Sequence, residues 1–381
     1  MSVNVTPATL ARLRLAAQGI LPTSTSPSPG PVDVVRSLTA LQGQDFPGAL
    51  WSIGLRSTGS TRAYVEDAFN RGDLVRSWPM RGTLHVTVAE DLGWIQSLTA
   101  ERMLRSQATR HRQLEITTPD LEQVCELALA LLERSGGQAT RDELFAAFEQ
   151  AGQGTRAQRG YHLLFVLCLQ GTLVQGPING TAGNGNSQFF VSSQAWIKNP
   201  RTLDREQALA ELALRYFRSH GPATVKDFQW WAKLTGKDIN TGLERIKNQL
   251  ETVECAGTTY WLAPETAVLL GNTAGRVTVP GARSVFLLPG FDEYLLGYTD
   301  RSAALAPQHA PLTVPGGNGM FKATVVAGGK VAGTWRKAQG AEEKQREVAG
   351  VVLPEIFGEL SPAQMKALEK AATSYADFRR K

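Results

Sequence analysis

Gly137-Gln138-Ala139-Thr140 has a near copy at Gly221-Pro222-Ala223-Thr224. Both threonines are typical helix N-caps, because an acidic residue follows each of them three positions later, as in a capping box. The periodicity of apolar residues predicts an amphipathic helix before each stretch, and two more helices and a β-hairpin after it. Three helices followed by a hairpin is the order of a winged helix, so the repeat predicts two such units.

The predicted elements of the two copies follow the same order. In the first copy, helices at 121–133, 141–150 and 155–169 precede strands at 172–175 and 188–191. In the second copy, helices at 206–217, 225–234 and 237–249 precede strands at 252–255 and 258–262. The flanks of the two stretches therefore support the repeat, which four residues alone would not establish.

The two ends of the chain are less regular. Helices predicted at 7–18 and 32–41, with strands at 74–78 and 83–88, indicate a further winged helix, and a long helix at 89–113 links it to the next unit. Strands predicted at 284–288, 324–326 and 330–335, closed by a helix at 362–379, indicate a β-rich end that we expect to form a partial barrel.

The sequence therefore predicts an α+β protein, with three tandem winged-helix units followed by a small, barrel-like β-rich domain. The predicted domains are 1–115 with the linking helix, 116–200, 201–266 and 267–381.

Composition excludes several classes of protein. The chain of 381 residues has 40 basic and 35 acidic residues, a mild excess that permits nucleic-acid binding without requiring it. No stretch approaches the roughly 18 apolar residues that span a bilayer, and we see no signal peptide, so we expect a cytoplasmic protein with no membrane partner. Three cysteines without a CxxC pair, and histidines without ligand spacing, predict no metal and no cofactor.

The positions of the arginines are more informative than their number. The predicted DNA-binding residues are Arg81 at the first hairpin tip, Arg102, Arg105, Arg110 and Arg112 in the linking helix, Arg156 and Arg159 at the start of the next unit's third helix, and Asn184 and Asn186 in the hairpin loop GPINGTAGNGNS. The alternatives are solvated faces neutralised by acids such as Glu101, and a wing with no DNA contact.

Two polar stretches are candidates for chemistry. Asp292 and Glu293 are a tempting acid pair, but adjacent residues of a strand point to opposite faces, so we interpret them as structural. Gln42 and Gln44 lie two residues apart next to a turn, where both side chains can reach one small target. The alternative interpretation of these glutamines is a polar helix C-terminus.

A resemblance favours the catalytic interpretation of the glutamines. The strings RLRLAAQ (12–18), LQGQD (41–45), WPMRGTLH (78–85), GYHLL (160–164), LLPGFDEYLLGY (287–298) and VAGTWR (331–336) are similar to those of the winged-helix DNA-binding family that includes the AlkZ-type DNA glycosylases. The resemblance covers nearly the whole chain. It implies three winged helices around a concave DNA channel, a barrel-like C-terminal domain, and excision of N7-alkylated purines, including those in interstrand crosslinks.

The family's catalytic Gln-x-Gln motif maps onto Gln42 and Gln44, with Gly43 where the middle residue is usually aliphatic. An N7-alkylguanine leaves as a neutral base, so two amide oxygens that position water are adequate where other glycosylases use a carboxylate. Asp45 is a possible general base or a turn cap. His85 places the backbone or water, or is a hydrogen-bonded strand histidine.

The resemblance thus implies a monofunctional DNA glycosylase, and we expect a monomer that acts on double-stranded DNA carrying alkylated purines. The alternative is a non-catalytic winged-helix DNA-binding protein, such as a transcriptional regulator. A regulator usually dimerises on two half-sites, whereas three units in one chain suit a single duplex.

Overall fold

The chain forms two compact units. A computed structural model describes residues 3–23, 29–180, 187–273, 276–317, 319–338 and 351–380. The first unit comprises Met1–Val65 and Leu209–Lys381, and the second comprises Glu66–Ala208. This division does not separate individual winged helices, so the four domain ranges and the number of winged-helix units stay predictions.

The first unit contains most of the short helices and three small sheets. Its helices are Pro7–Ala17, Pro31–Leu38, Phe46–Arg56, Val225–Ala232, Gly236–Ile246, Pro264–Ala267, Glu293–Leu296, Ala310–Thr313 and Pro362–Arg380. Its strands are Val3–Asn4, Leu41–Gln42, Glu251–Cys255, Thr258–Leu262, Gly271–Thr273, Arg276–Thr278, Val285–Leu288, Thr324–Ala327, Lys330–Lys337 and Val352–Ile356. Two helices, Arg62–Asn70 and Arg205–His220, run across the boundaries between the units.

The second unit packs helices on an antiparallel sheet. Its helices are Leu92–Gln113, Thr118–Arg134, Arg141–Gln150, Arg159–Leu169 and Ser193–Trp196. Within this unit the strands lie in the order Thr83–Val88, Leu74–Met80, Leu173–Ile178, Gln188–Ser192 and Gln138–Ala139. The two hairpins predicted in this region are therefore joined edge to edge, through the pair Arg76 and Gln175.

The repeated stretch has the same local geometry in both copies. Thr140 and Glu143 form a reciprocal capping box, in which the Thr140 N–H donates to the Glu143 carboxylate at 2.7 Å. Thr224 and Asp227 form the same box, at 3.0 Å. The alanine before each threonine pairs with the second strand of the hairpin that follows it, Ala139 with Phe190 and Ala223 with Trp261. Both predicted caps are confirmed.

The expectation of a barrel-like C-terminal domain is not confirmed. Four antiparallel strands, Val285–Leu288, Thr324–Ala327, Lys330–Lys337 and Val352–Ile356, lie side by side in chain order, and no closed barrel forms among the described residues. The helix Pro362–Arg380 covers this open sheet, with the Tyr375 ring 4.8 Å from that of Trp335. Because the helix buries apolar surface of the sheet, closure is not needed to bury it.

A buried ion pair fixes the second copy of the repeat within the first unit. Asp227 is fully buried, and its carboxylate accepts hydrogen bonds from the backbone N–H and hydroxyl groups of Thr224 and Thr299, at 2.7 to 3.0 Å. Arg14 lies 3.9 Å away, and its guanidinium stacks 3.7 Å from the centroid of the Tyr298 ring. Burial alone raises the pKa of Asp227, but these hydrogen bonds and Arg14 lower it below the ordinary value.

We expect Asp227→Asn to lower the free energy of unfolding by about 3–5 kcal/mol, because it leaves buried Arg14 without its counter-charge. Since folding lowers the pKa of Asp227, its carboxylate stabilises the folded chain at neutral pH, and this stabilisation is lost as the pH falls through the lowered pKa. Denaturant melts from pH 7 downwards measure both effects.

The matched control is Asp238→Asn. Asp238 accepts a hydrogen bond from Thr235 at an exposed helix start, where a capping change costs about 1 kcal/mol or less. Equal losses in the two variants would contradict the special role of Asp227.

Candidate active site

The loop between the strand Leu41–Gln42 and the helix that begins at Phe46 brings the two predicted glutamines together. Gln42 is buried and Gln44 is exposed. The Gln44 backbone N–H donates to Oε1 of Gln42 at 2.9 Å, and Nε2 of Gln42 donates to Oε1 of Gln44 at 3.4 Å. Each amide oxygen has a second lone pair, so the pair can still accept a hydrogen bond from water.

Asp45 lies directly before this helix. A Cβ atom at Gly48 would lie 2.4 Å from Oδ2 of Asp45, so the carboxylate fits against the first turn only because residue 48 is glycine. Asp45 is exposed, but the protein atoms beside its carboxylate partly desolvate it; this raises the pKa of Asp45, while the backbone N–H of Gly48 opposes the shift. A carboxylate with a raised pKa is a better proton acceptor than an ordinary aspartate.

A buried carboxylate lies behind the glutamine loop. Glu293 has no exposed surface, and its Oε1 lies 3.4 Å from the backbone nitrogen of Gln42. Its other oxygen, Oε2, accepts the indole N–H of Trp231 at 2.9 Å and lies 3.4 Å from Nε2 of His220. The start of the glutamine loop, the second copy of the repeat and the string FDEYLLGY therefore meet at the Glu293 side chain.

The hydrogen bonds around His220 and Glu293 determine how many protons this pair holds. The Ser219 hydroxyl donates to the carbonyl of Arg215 at 2.7 Å, so it accepts from Nδ1 of His220 at 2.8 Å. With Nδ1 protonated, the contact between Nε2 and Glu293 needs one further proton, held by one partner or the other. The pair is thus either imidazolium with carboxylate or neutral imidazole with carboxylic acid, and neither state leaves an isolated charge buried.

Sequence reasoning missed Glu293 because it assumed a strand. Residues Glu293–Leu296 form a short helix, and Asp292 is its N-cap, accepting the N–H of Tyr294 at 3.0 Å. Asp292 has separate partners: Arg56, by two hydrogen bonds of 2.8 and 2.9 Å, and Ser52, at 2.7 Å. The two acids do face different groups, as predicted, but one of them contacts the glutamine loop.

His85 and Arg81 lie in the second unit. His85 is fully buried, with Nδ1 2.8 Å from the carbonyl of Thr83 and Nε2 2.7 Å from a guanidinium nitrogen of Arg81. Since arginine only donates, Nε2 accepts and Nδ1 carries the proton. These contacts agree with the interpretation of His85 as a hydrogen-bonded strand histidine, and its supporting role in chemistry stays a prediction.

The predicted DNA-binding arginines differ in how they are paired. Arg105 forms an ion pair with Glu101, and Arg159 is bound by Asp120, Gln153 and two backbone carbonyls. Arg110 donates to Gln113 and Gln158, and Arg112 donates to Thr109. Arg102 and Arg156 are exposed and form no salt bridge with any described residue. Asn184 and Asn186 lie outside the described residues, and the DNA contacts of the whole set stay predictions.

A cavity of about 640 Å³ in the first unit lies away from this chemistry. Gln18, Arg56 and Glu265 are among its lining residues, and Gln42, Gln44 and Asp45 are not. Among the described residues, no cluster of three or more acidic, histidine or cysteine side chains is arranged to hold a metal ion. No described helix has the length and apolar character to cross a membrane.

The family model for "DNA glycosylase AlkZ-like" proteins matches residues 35–378. This chain belongs to the AlkZ-like DNA glycosylase family. The interstrand DNA cross-link repair glycosylase of Streptomyces sahachiroi is 28% identical over 365 residues, 91% of this chain and 90% of that protein. The structure of the Streptomyces sahachiroi DNA glycosylase AlkZ superposes with a TM-score of 0.76 at 23% identity, covering 98% of each chain. The predicted family is confirmed, and so is a mixed α and β fold.

The contact between Glu293 and Gln42 predicts that the glutamine loop depends on Glu293. Glu293→Gln keeps an amide oxygen for the Gln42 N–H but removes the carboxylate that Trp231 and His220 share. We expect base release from alkylated DNA to slow about ten- to a hundredfold, because small displacements of a catalytic group have effects of that size. Single-turnover kinetics measure this rate.

The neighbouring acid offers a matched control. Asp292→Asn disturbs Arg56 and Ser52 and should lower the melting temperature while each folded molecule keeps its rate. A Glu293→Gln protein that releases base at the wild-type rate would show that the loop does not need this carboxylate.

Proposed function

We propose that this chain is a monofunctional DNA glycosylase that hydrolyses the N-glycosidic bond of N7-alkylated purines in double-stranded DNA, including those in interstrand crosslinks. The observation that carries the proposal is the pairing of Gln42 with Gln44 at the surface of a chain from the AlkZ-like family. The relative from Streptomyces sahachiroi, named for cross-link repair, supports the substrate class. We further propose that the protein acts as a cytoplasmic monomer built from three winged helices.

Cleavage of the glycosidic bond needs little catalytic assistance when the purine is alkylated at N7. Alkylation at N7 makes the purine cationic, so the electrons of the C1′–N9 bond leave with the base and neutralise it. The sugar then carries the positive charge, shared between C1′ and O4′. Amide oxygens of Gln42 and Gln44 orient the attacking water and place negative dipoles near this charge, without forming a bond to it.

The water must lose a proton as its oxygen bonds to C1′. Asp45 follows Gln44 directly, and its raised pKa suits it to accept that proton. The same carboxylate contacts the first turn of the helix at Gly48 but makes no capping hydrogen bond there, so it is available for proton transfer.

An exposed site suits a crosslinked lesion. A base tied to both strands cannot be flipped into a deep pocket, so it must be read in place. The exposed Gln44 and Asp45, and the small buried Gly43 between the glutamines, support access to a bulky lesion. A Gln-x-Gln motif that lined an enclosed cavity would have favoured base flipping instead.

We expect Gln42→Ala and Gln44→Ala each to abolish release of N7-methylguanine and to leave duplex binding within about tenfold of wild type, since one polar contact is worth about 0.5–1.5 kcal/mol in binding. Chromatography of the freed base and fluorescence anisotropy measure the two quantities. Undamaged guanine should not be released, because its departure requires protonation.

This assay separates the enzyme from its alternative. Wild-type protein that binds alkylated duplex DNA but frees no base, and unhooks no N7-linked crosslink, would be a non-catalytic DNA-binding protein.

The pKa of Asp45 predicts the pH dependence of the rate. Only the ionised carboxylate accepts a proton, so base release should fall as the pH decreases through the raised pKa of Asp45, above the 3.8 of an ordinary aspartate. Asp45→Asn should be slow at every pH and lack this acidic limb. A rate profile that Asp45→Asn leaves unchanged would exclude Asp45 as the proton acceptor.

A further inference from the structure

A cationic and aromatic surface of the first unit is not explained by the active site. It consists of Trp230, Lys233 and Arg301, and we call it the Trp230 cluster. The Lys233 ammonium lies 5.5 Å from the centroid of the Trp230 ring, and the Arg301 guanidinium lies 5.3 Å from it. Lys233 is exposed, whereas Trp230 and Arg301 are half-buried.

Neither cation of the cluster forms a salt bridge with a described acid, although the charges of Asp227 and Asp300 act on Arg301 from a longer distance. Arg301 donates from Nε to the carbonyl of Leu295 at 2.6 Å and contacts the rings of Trp230 and Phe321. Lys233 and Arg301 form no salt bridge with any described residue. The nearby acids are engaged elsewhere: Asp227 with Thr224, Thr299 and Arg14, and Asp300 with the N–H of Ser302.

Several other cations of the first unit, unlike Lys233 and Arg301, are paired with acids. Ion pairs within this unit join Arg36 to Asp33, Arg215 to Glu211, Arg218 to Glu265 and Lys247 to Glu244. Two unpaired cations on one aromatic ring attract an anion, and the ring offers an apolar surface beside it. Phosphate and sugar of a nucleic-acid backbone present this combination of groups.

The cluster is connected to the catalytic loop through one short helix. Arg301 binds the carbonyl of Leu295 within the helix Glu293–Leu296, and the residue after Trp230, Trp231, binds Glu293 at its start. Glu293 in turn contacts the backbone of Gln42. A phosphate held at the cluster would therefore be held in a fixed position relative to the glutamines.

We infer that the Trp230 cluster binds a phosphodiester of the duplex DNA substrate and sets the register of that duplex on the catalytic loop. This inference rests on the proposed function and adds a DNA contact in the first unit. A phosphate contact carries no sequence information, so the cluster positions the duplex and does not select the lesion.

The test is the salt dependence of binding to an undamaged duplex, measured by fluorescence anisotropy. Each phosphate contact contributes about 0.9 to the slope of log affinity against log salt concentration. We expect Lys233→Gln to reduce that slope by about 1 and to weaken binding equally for damaged and undamaged duplexes. The single-turnover rate of base release at saturating protein should also fall, because the duplex is no longer held in register with the glutamines.

Lys247→Gln is the matched control, because it removes the same charge from a lysine already paired with Glu244. Its slope should equal that of the wild type. Arg301→Lys keeps the positive charge at position 301 and should retain the slope, whereas Arg301→Gln removes the charge and should reduce the slope. Melting curves confirm that both variants fold.

The outcomes separate this inference from the proposed function. If wild-type protein binds duplex DNA and releases base, but Lys233→Gln and Arg301→Gln keep the full slope, the cluster does not contact DNA and only this inference is wrong. If wild-type protein binds no duplex DNA, the proposed function and this inference are both wrong.

Discussion

The arrangement of the first unit depends on the carboxylate of Glu293, which has no contact with water. A charge or polar group buried in this way is stable only if donors surround it, so the folded chain must deliver those donors to Glu293. Trp231 and the backbone of Gln42 supply N–H donors, and the imidazole of His220 shares a proton with the carboxylate. Hydrophobic packing alone tolerates small shifts of one segment past another, but a set of hydrogen bonds on two oxygen atoms does not. The position of the glutamine loop is therefore set by a polar constraint.

The same principle explains why the string LLPGFDEYLLGY contains so many polar groups in an apolar environment. The Tyr294 hydroxyl donates to the carbonyl of Gly329, and the Tyr298 hydroxyl donates to the carbonyl of His220 at 2.8 Å. Asp292 holds Arg56, and Gln18 connects Arg56 to Tyr298. Each of these groups is buried and each has a partner, as the cost of an unsatisfied polar group requires. The string thus joins several segments of the first unit, and one of its acids, Glu293, contacts the glutamine loop.

Local patterns in the sequence predicted local structure well. The capping boxes at Thr140 and Thr224 and the strand Thr258–Leu262 follow from residues close together in the chain. The features that the sequence did not predict depend on contacts between residues far apart in the chain. Glu293 lies 251 residues from Gln42, and no periodicity could indicate their contact. The barrel-like form expected of the C-terminal sheet is not confirmed, because strand patterns do not reveal which element covers a sheet. The glutamines themselves stood out only through the family resemblance, since their spacing alone also fits a polar helix end.

The distribution of paired and unpaired cations changes how a basic sequence should be interpreted. In the sequence, Arg105, Arg159 and Lys233 are equivalent positive charges. In the folded chain the two arginines already bind carboxylates, so replacing those partners with phosphate gains little attraction. Lys233 forms no salt bridge that DNA binding would have to break, so its full attraction to phosphate contributes to binding. For a glycosylase of this family, affinity for the duplex should therefore depend on the cations that folding leaves unpaired, and the total charge of the chain is a poor guide to it.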